Sequence, residues 1–195
     1  MLRLLLTRHG ESEWQIRGDR AGHDSKLTNL GLRQADLLGH WLAKHIRVDY
    51  IYASPLKRAR ETAEVVARHL NLPVTLHEGL TEAWFFVSPE LPSYATPLDI
   101  LDGDSARRKG AANDYRAFRV RVASVLRTIL SQHHDGIILI VAHGGTVETV
   151  LRLLLGSDAF TANIGNTTLH SLVWFDNRWH IEYVDRWEHL PQSTA

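Results

Sequence analysis

An apolar run near the start of the chain ends in a cation, an imidazole and a glycine, and this stretch restricts the possible folds most. Residues 4–11 read Leu-Leu-Leu-Thr-Arg-His-Gly-Glu. A short continuous apolar run is typical of a strand buried on both faces of a parallel sheet. Open α/β sheets bind ligands just beyond the carboxyl ends of their strands. Arg8 and His9 are therefore expected in a ligand site, with Gly10 allowing a sharp backbone turn beside them.

Two other predicted strand ends carry similar side chains. The Tyr-Ile-Tyr stretch at 50–52 leads within a few residues to Arg58, and the apolar run 137–141 leads to His143. Carboxyl ends of parallel strands meet at one edge of a sheet. We therefore expect the two arginines and two histidines from these three strand ends to converge on one anion.

Strands and helices alternate through most of the chain. Strands are predicted at 4–8, 49–53, 73–76 and 137–141, followed by a hairpin of 167–175 and 178–184 around Asp176-Asn177. The helix faces predicted to pack on the sheet are Ala35, Leu38, Leu42 and Ile46; Ala59, Thr62, Ala63, Val66 and Leu70; Phe118, Val122, Val125 and Ile129; and Val147, Val150, Leu151 and Leu154. This alternation predicts an α/β fold, a three-layer α/β/α sandwich whose central sheet is mostly parallel with an antiparallel edge.

Residues at the helix ends refine these predictions. Thr28 is a suitable N-cap for the first of these helices, and Ser54 with Pro55 in the following turn is predicted to begin the second. Arg58 then lies in a first helical turn, where free N–H groups and the helix dipole favour anions. Gly156 is the expected terminator of the last helix.

In two segments the apolar residues show neither helical nor strand periodicity. Residues 16–26 are polar and are predicted to form a loop over the site. Residues 77–105 contain three prolines and are predicted to form a lid or substrate loop, since irregular segments of this length are usually functional or disordered. Aromatic residues, including the run 84–86, argue against disorder. We expect that aromatic run to pack the lid rather than to contact substrate.

Composition limits the possible partners. The 195 residues fit one domain, 1–195, and the formal net charge of zero gives no general attraction for nucleic acid or membrane. There is no cysteine, no signal-like segment and no apolar run long enough to span a membrane. The twelve histidines show no compact metal-ligand pattern. We expect a cytoplasmic protein, monomeric or homodimeric, that acts on a small molecule without a metal or cofactor.

The side chains at the three strand ends suit phosphoryl transfer. This chemistry requires a positioned nucleophile, cations for the phosphate oxygens and a proton for the leaving oxygen. Arg8 and Arg58 match phosphate geometry, and their charges would keep the imidazole of His9 neutral and nucleophilic. His143 could donate a further hydrogen bond. The N–H groups of Gly144-Gly145, which open a predicted helix, could point at the same oxygens.

The proton donor should be a carboxyl group near the site. Glu82 is the preferred candidate because apolar Trp84 and a nearby phosphate dianion would raise its pKa, as a general acid requires. On the residues alone, Glu11 and Asp104 remain competitors.

Five motifs between Leu4 and about Leu155 share their order and spacing with one known family. They are Leu6-Thr7-Arg8-His9-Gly10-Glu11-Ser12-x-Trp14, Leu27-Thr28-x-x-Gly31-x-x-Gln34-Ala35, Ser54-Pro55-Leu56-x-Arg58-Ala59-x-x-Thr62-Ala63, Leu80-x-Glu82 and Val141-Ala142-His143-Gly144-Gly145. Together they resemble the histidine phosphatase superfamily, the family of cofactor-dependent phosphoglycerate mutases and fructose-2,6-bisphosphatase-like phosphatases.

The resemblance implies a phosphoglycerate mutase-like fold and a role for each matched residue. His9 would be the phosphorylated histidine, and Arg8, Arg58 and His143 would bind the phosphate. Glu82 falls at the family's proton-donor position, which decides between the competing carboxyl groups. No metal is implied. The expected activity is a metal-independent phosphomonoesterase that forms a phosphohistidine intermediate on a small phosphorylated metabolite.

The chain also departs from the family pattern. Gln15 stands where the family usually has an asparagine that contacts phosphate. Residues 83–106 contain no lysine or arginine but four acidic residues, at positions 90, 99, 102 and 104. We therefore expect a monophosphate whose remainder is neutral and partly apolar. The basic run 107–109 would supply counter-charges for a second anion only if it folded inward.

Two other functions remain open. A phosphoglycerate mutase-type enzyme would return the phosphoryl group to its substrate, and the lack of basic residues in the lid counts against it. A phospho-ligand binding module without catalysis is the second alternative, and the full set of reactive residues counts against it.

Overall fold

The computed structural model describes residues 1–94, 99 and 112–191. Within these ranges, six strands form one sheet in the order β3-β2-β4-β1-β5-β6. The strands are β1 (Leu2–Arg8), β2 (Tyr50–Ala53), β3 (Val74–Leu76), β4 (Gly136–Ala142), β5 (Leu169–Phe175) and β6 (Arg178–Arg186). The first four of these strands pair in parallel, whereas β5 and β6 continue the sheet as an antiparallel edge. The predicted mostly parallel sheet with an antiparallel edge is thus confirmed.

Helices cover both faces of this sheet. The helices are α1 (Glu13–Arg17), α2 (Asn29–His45), α3 (Lys57–Leu70), α4 (Val87–Glu90), α5 (Asn113–Gln132) and α6 (Gly144–Leu155). Successive strand residues point to opposite faces. Leu5 accordingly packs with α2 and α3, while Leu4 and Leu6 pack with α5 and α6. The three-layer sandwich therefore follows from strands that are apolar on both sides.

Several predicted helix and turn features are confirmed. Thr28 caps α2 by accepting a hydrogen bond from the Gly31 N–H at 3.0 Å. Gly156 ends α6 in the left-handed region, with φ of 68°. Asp176 and Asn177 both have positive φ, 50° and 58°, the combination required by the tight turns that suit the twist of a hairpin.

Other local predictions were wrong. Ser54 is not the N-cap of α3: the helix begins at Lys57, and Leu56 occupies the cap position without a side-chain hydrogen bond. Residues 16–26 are not simply a loop, because α1 extends to Arg17 and a 3-10 turn follows at Gly18–Ala21. Ser54 instead bonds to His143, 89 positions away, whereas local helical turns take the place of the predicted loop after residue 16.

Gly10 is required for a different reason than a sharp turn. Its φ is not positive, but a Cβ atom on Gly10 would lie 2.4 Å from the carbonyl oxygen of Gly31. A Cβ on Gly31 would in turn lie 2.0 Å from the carbonyl oxygen of Glu11. The two glycines therefore allow the loop after β1 to contact the first turn of α2 directly.

Candidate active site

The three strand ends open into one cleft of about 880 Å³. It lies at the carboxyl ends of β1, β2 and β4, the edge at which α/β sheets bind ligands. The residues that line it are Arg8, His9, Trp14, Gln15, Gly18, His23, Arg58, Glu82, Ala83, Trp84, Phe85, Phe86, Val87, Ser88, Gly144, Gly145, Glu148, Ala162, Asn163 and Ile164. The structure thus brings Arg8, His9, Arg58 and Glu82 together.

His9 is held as a neutral imidazole with a defined orientation. Its Nδ1 lies 2.6 Å from the carbonyl oxygen of Gly10, which can only accept, so Nδ1 carries the proton. The other ring nitrogen, Nε2, accepts from Nε of Arg58 at 3.1 Å. Burial lowers the pKa of His9 well below its ordinary value, and the charges of Arg8 and Arg58 lower it further. An unprotonated Nε2 is the form that can act as a nucleophile.

Both arginines are anchored by backbone carbonyls. Arg8 donates to the carbonyl oxygen of Ile164 at 2.9 Å, and Arg58 donates to that of His23 at 2.6 Å. Burial lowers the pKa of both guanidinium groups, and the carboxylate of Glu82 opposes that effect. Nε of Arg8 is buried and has no hydrogen-bond partner among the described residues. A buried donor of this kind is costly unless an acceptor reaches it.

The ring of His143 is oriented by Ser54, for which the sequence predicted only a helix-capping role. Its Nε2 lies 2.8 Å from Oγ of Ser54, and that hydroxyl also accepts from the Leu56 N–H at 3.3 Å. This arrangement favours donation of the hydroxyl proton to Nε2, which leaves the ring proton on Nδ1. Nδ1 is buried and unpartnered within the described part of the chain. The rings of His143 and His9 lie 5.2 Å apart, centroid to centroid.

Glu82 is held at the start of α6. Its carboxylate accepts hydrogen bonds from the N–H groups of Ala83 and Gly145, each at 3.0 Å. Burial nevertheless raises the pKa of Glu82 above its ordinary value, against the lowering effect of these hydrogen bonds and of Arg58. The expected cause was different, because Trp84 is exposed rather than packed beside the carboxyl group. The prediction that the Gly145 N–H would face the phosphate was also wrong.

Gln15 and Asn166 form an amide pair at the edge of the cleft. The side-chain nitrogen of Gln15 donates to Asn166 at 2.9 Å, and that of Asn166 donates back at 3.0 Å. Asn166 also donates to the carbonyl oxygen of His9 at 2.8 Å. Sequence reasoning missed Asn166, since no motif marks it. The contact of Gln15 with phosphate stays a prediction.

The aromatic run 84–86 does not pack as a unit. The ring of Phe85 lies 6.1 Å from that of Phe118, centroid to centroid, and Phe85 packs against the core. Trp84 and Phe86 instead remain 77% and 85% exposed and line the cleft. The expectation that the run would pack the lid is therefore wrong for two of its three members.

Of the remaining candidates, only Glu11 belongs to the described residues. The carboxylate of Glu11 accepts from the hydroxyl of Thr28 at 2.7 Å, so it is engaged at the start of α2. Asp104 and the basic run 107–109 lie outside the described residues. Within the described ranges, no group of three histidine or carboxylate side chains could hold a metal ion. No helix there is long and apolar enough to cross a membrane.

The fold and cleft are typical of one class of protein, an α/β enzyme whose site lies at the carboxyl ends of parallel strands, where arginine and histidine side chains meet. The family model of the histidine phosphatase superfamily, branch 1, matches residues 4–186. The chain belongs to this family and is a phosphatase.

Similar proteins share this assignment. A protein of Hydrogenobacter thermophilus provisionally named phosphoserine phosphatase 2 is 35% identical over the full length of both chains. The adenosylcobalamin/alpha-ribazole phosphatase of Escherichia coli K12 is 31% identical over 81% of each chain. Among solved structures, a mutant phosphoserine phosphatase from Entamoeba histolytica in complex with phosphoserine is 27% identical, with a TM-score of 0.73 over 98% of this chain and 100% of that one.

Proposed function

We propose that this phosphatase hydrolyses small phosphomonoesters through a phosphohistidine at His9, without a metal ion. The observation that carries the proposal is the state of the imidazole: Nδ1 donates to Gly10, while Nε2 is unprotonated and faces Arg58. The related proteins named as phosphoserine and alpha-ribazole phosphatases support a small phosphorylated substrate. A single sheet, whose first strand begins at Leu2 and whose last ends at Arg186, supports a single catalytic domain.

In the first step, Nε2 of His9 attacks phosphorus while the bond to the leaving oxygen breaks. A bound phosphate would take over the Arg58 N–H, which frees the nitrogen lone pair. Arg8, Arg58 and Nδ1–H of His143 would bind the non-bridging oxygens, and this would satisfy the buried donors of Arg8 and His143. The leaving alkoxide takes a proton from Glu82.

In the second step, water attacks the phosphohistidine. The carboxylate of Glu82 accepts a proton from this water, the P–N bond breaks, and inorganic phosphate leaves with Glu82 again protonated. Between the two steps the phosphorylated ring keeps its Nδ1–H and becomes cationic. The carbonyl oxygen of Gly10, 2.6 Å from Nδ1, would stabilise that charge.

The proposal is tested by trapping the intermediate. With an isotopically labelled phosphodonor and excess chelator, rapid quenching should capture acid-labile label on the wild-type chain. The His9→Ala variant should incorporate none and should lose turnover. His23→Ala is the matched control, because it removes a histidine from the same cleft and should keep the label.

Three results would contradict the proposal. They are label that survives acid, label retained by His9→Ala, and turnover abolished by the chelator. Transfer of the label to added phosphoglycerate rather than to water would instead support the mutase alternative.

A further inference from the structure

The cleft is much larger than the phosphate site at its base. The two arginines and two histidines lie at the strand ends, whereas the segment from Ala83 to Ser88 forms a wall beside them. Pockets of a few hundred Å³ or more accommodate whole small molecules. Under the proposed function, the leaving group of the phosphoester would lie against this wall, so the wall's chemistry bears on the choice of substrate.

Trp84 and Phe86 give this wall an apolar surface. Phe85 packs toward Phe118, and the ring of Trp84 touches that of Phe85 at a centroid distance of 5.4 Å. Trp84 and Phe86 nevertheless remain largely exposed. Moving a large aromatic side chain out of water usually lowers the free energy of the system. Two aromatic side chains this exposed, in the lining of one cleft beside a reactive centre, therefore offer a surface that a bound apolar group would cover.

The charges of the cleft also favour a ligand whose leaving group is uncharged. Among its described lining residues, Arg8 and Arg58 are the only arginines or lysines. Both are positioned for the phosphate. Glu148 is engaged, since it forms an ion pair with Arg152 at 2.7 Å and accepts from the Ala162 N–H. A second anionic group on the substrate would thus enter the cleft without a counter-charge from these residues, which is unfavourable.

We infer that Trp84 and Phe86 form a specificity subsite for an uncharged, apolar leaving group. The preferred substrates are then phosphomonoesters of alcohols that carry an aromatic or aliphatic body and no second ionised group. The inference rests on the proposed function, because the subsite acts only on esters whose phosphate occupies the site at His9.

The test compares esters whose leaving alcohols differ in size and charge but little in acidity. We expect kcat/KM for 2-phenylethyl phosphate to exceed that for propyl phosphate and that for 3-phosphoglycerate. In Trp84→Ala and Phe86→Ala, kcat/KM for the phenylethyl ester should fall about tenfold, the loss expected for about one aromatic contact. The value for propyl phosphate should change little, and Trp84→Phe should retain most of the preference.

Two further variants separate recognition from general damage. Phe175→Ala removes an exposed aromatic ring from the β5–β6 hairpin, outside the cleft, and should leave the preference unchanged. Phe86→Arg places a cation on the wall and should raise kcat/KM for 3-phosphoglycerate about threefold, the effect of an exposed ion pair. Inhibition by inorganic phosphate should be the same in all alanine variants, because the phosphate site is untouched.

The possible failures are distinguishable. If every ester is hydrolysed but the wild-type enzyme prefers phosphoserine or 3-phosphoglycerate, or if Trp84→Ala and Phe86→Ala lower all rates equally, the inference is wrong and the proposed function stands. If no ester is hydrolysed, the proposed function fails, and the inference fails with it.

Discussion

At the scale of single residues, burial acts on His9 and Glu82 in opposite directions. It lowers the pKa of the imidazole and raises that of the carboxyl group, because in each case the charged form is disfavoured. Burial in one cleft therefore favours the uncharged form of both the nucleophile and the acid. The two arginines contribute as well, since they disfavour a cationic ring at His9.

Replacing Glu82 should affect substrates according to their leaving groups. We expect Glu82→Ala to lower kcat/KM for an alkyl phosphate by about 10²–10⁴-fold, the usual cost of losing a general acid. The loss on p-nitrophenyl phosphate should be much smaller, because its leaving group needs little protonation. The control Glu64→Ala removes an exposed carboxylate outside this cleft and should be neutral. Equal losses on both substrates would mean that Glu82 positions the phosphate instead.

At the scale of secondary-structure elements, the position of the site residues at the end of β1 depends on contacts with two other segments, the one before β5 and the start of α2. The Thr167 N–H donates to the carbonyl oxygen of Arg8 at 3.0 Å, and Asn166 donates to that of His9. Ile164 accepts from the Arg8 guanidinium. The segment before β5 therefore holds both the backbone and the side chain of the reactive strand end. On the other side, the loop after β1 rests against the start of α2.

Gly31→Ala tests the contact between this loop and α2. Alanine normally stabilises a helix by about 1 kcal/mol relative to glycine. Here its Cβ would lie 2.0 Å from the Glu11 carbonyl oxygen, a backbone atom that cannot move away freely. We expect the overlap to dominate, with a net loss of about 1–3 kcal/mol in the free energy of unfolding.

Chemical denaturation measures this change, and turnover should fall because the loop that carries His9 shifts. Asn29→Ala, an exposed substitution in the same helical turn, is the control and should be close to neutral. If Gly31→Ala were more stable than the wild type, the predicted overlap between its Cβ and the Glu11 carbonyl oxygen would be refuted.

At the scale of the whole molecule, buried histidines couple stability to pH. His170 lies in β5, and its Nδ1 accepts from the Asp185 N–H at 3.1 Å. Burial lowers the pKa of His170 to about 4, against an ordinary value of 6.5. Between these two values the unfolded chain binds a proton that the folded chain does not. Stability is therefore lost as pH falls from about 6.5 toward 4.

His170→Gln should reduce this acid sensitivity. Between pH 7 and pH 5, we expect the loss in unfolding free energy to be about 2 kcal/mol smaller in the variant than in the wild type, from linkage at this one site. Glutamine can still accept the Asp185 N–H, so the fold should persist. Urea denaturation at both pH values provides the measurement, with the exposed His40→Gln as control. An unchanged pH dependence would show that His170 is protonated in the folded state.

Sequence by itself determined the strands, the longer helices and the strand ends at which the candidate site residues lie. Continuous apolar runs predicted β1 and β4, and helical spacing predicted α2, α3, α5 and α6, because these patterns are local consequences of backbone geometry. The motif around Arg8 and His9 likewise followed from residue type at a strand end.

Only the tertiary structure decided the partners of those residues. Ser54 orients His143 instead of capping α3, the Gly145 N–H binds Glu82, and Asn166 supports His9 from a segment with no motif. Each of these contacts joins residues separated by tens of positions or more along the chain. A local sequence pattern indicates whether a segment tends to form a helix or a strand. A hydrogen-bond partner depends instead on which distant segment the packed layers bring within about 3 Å.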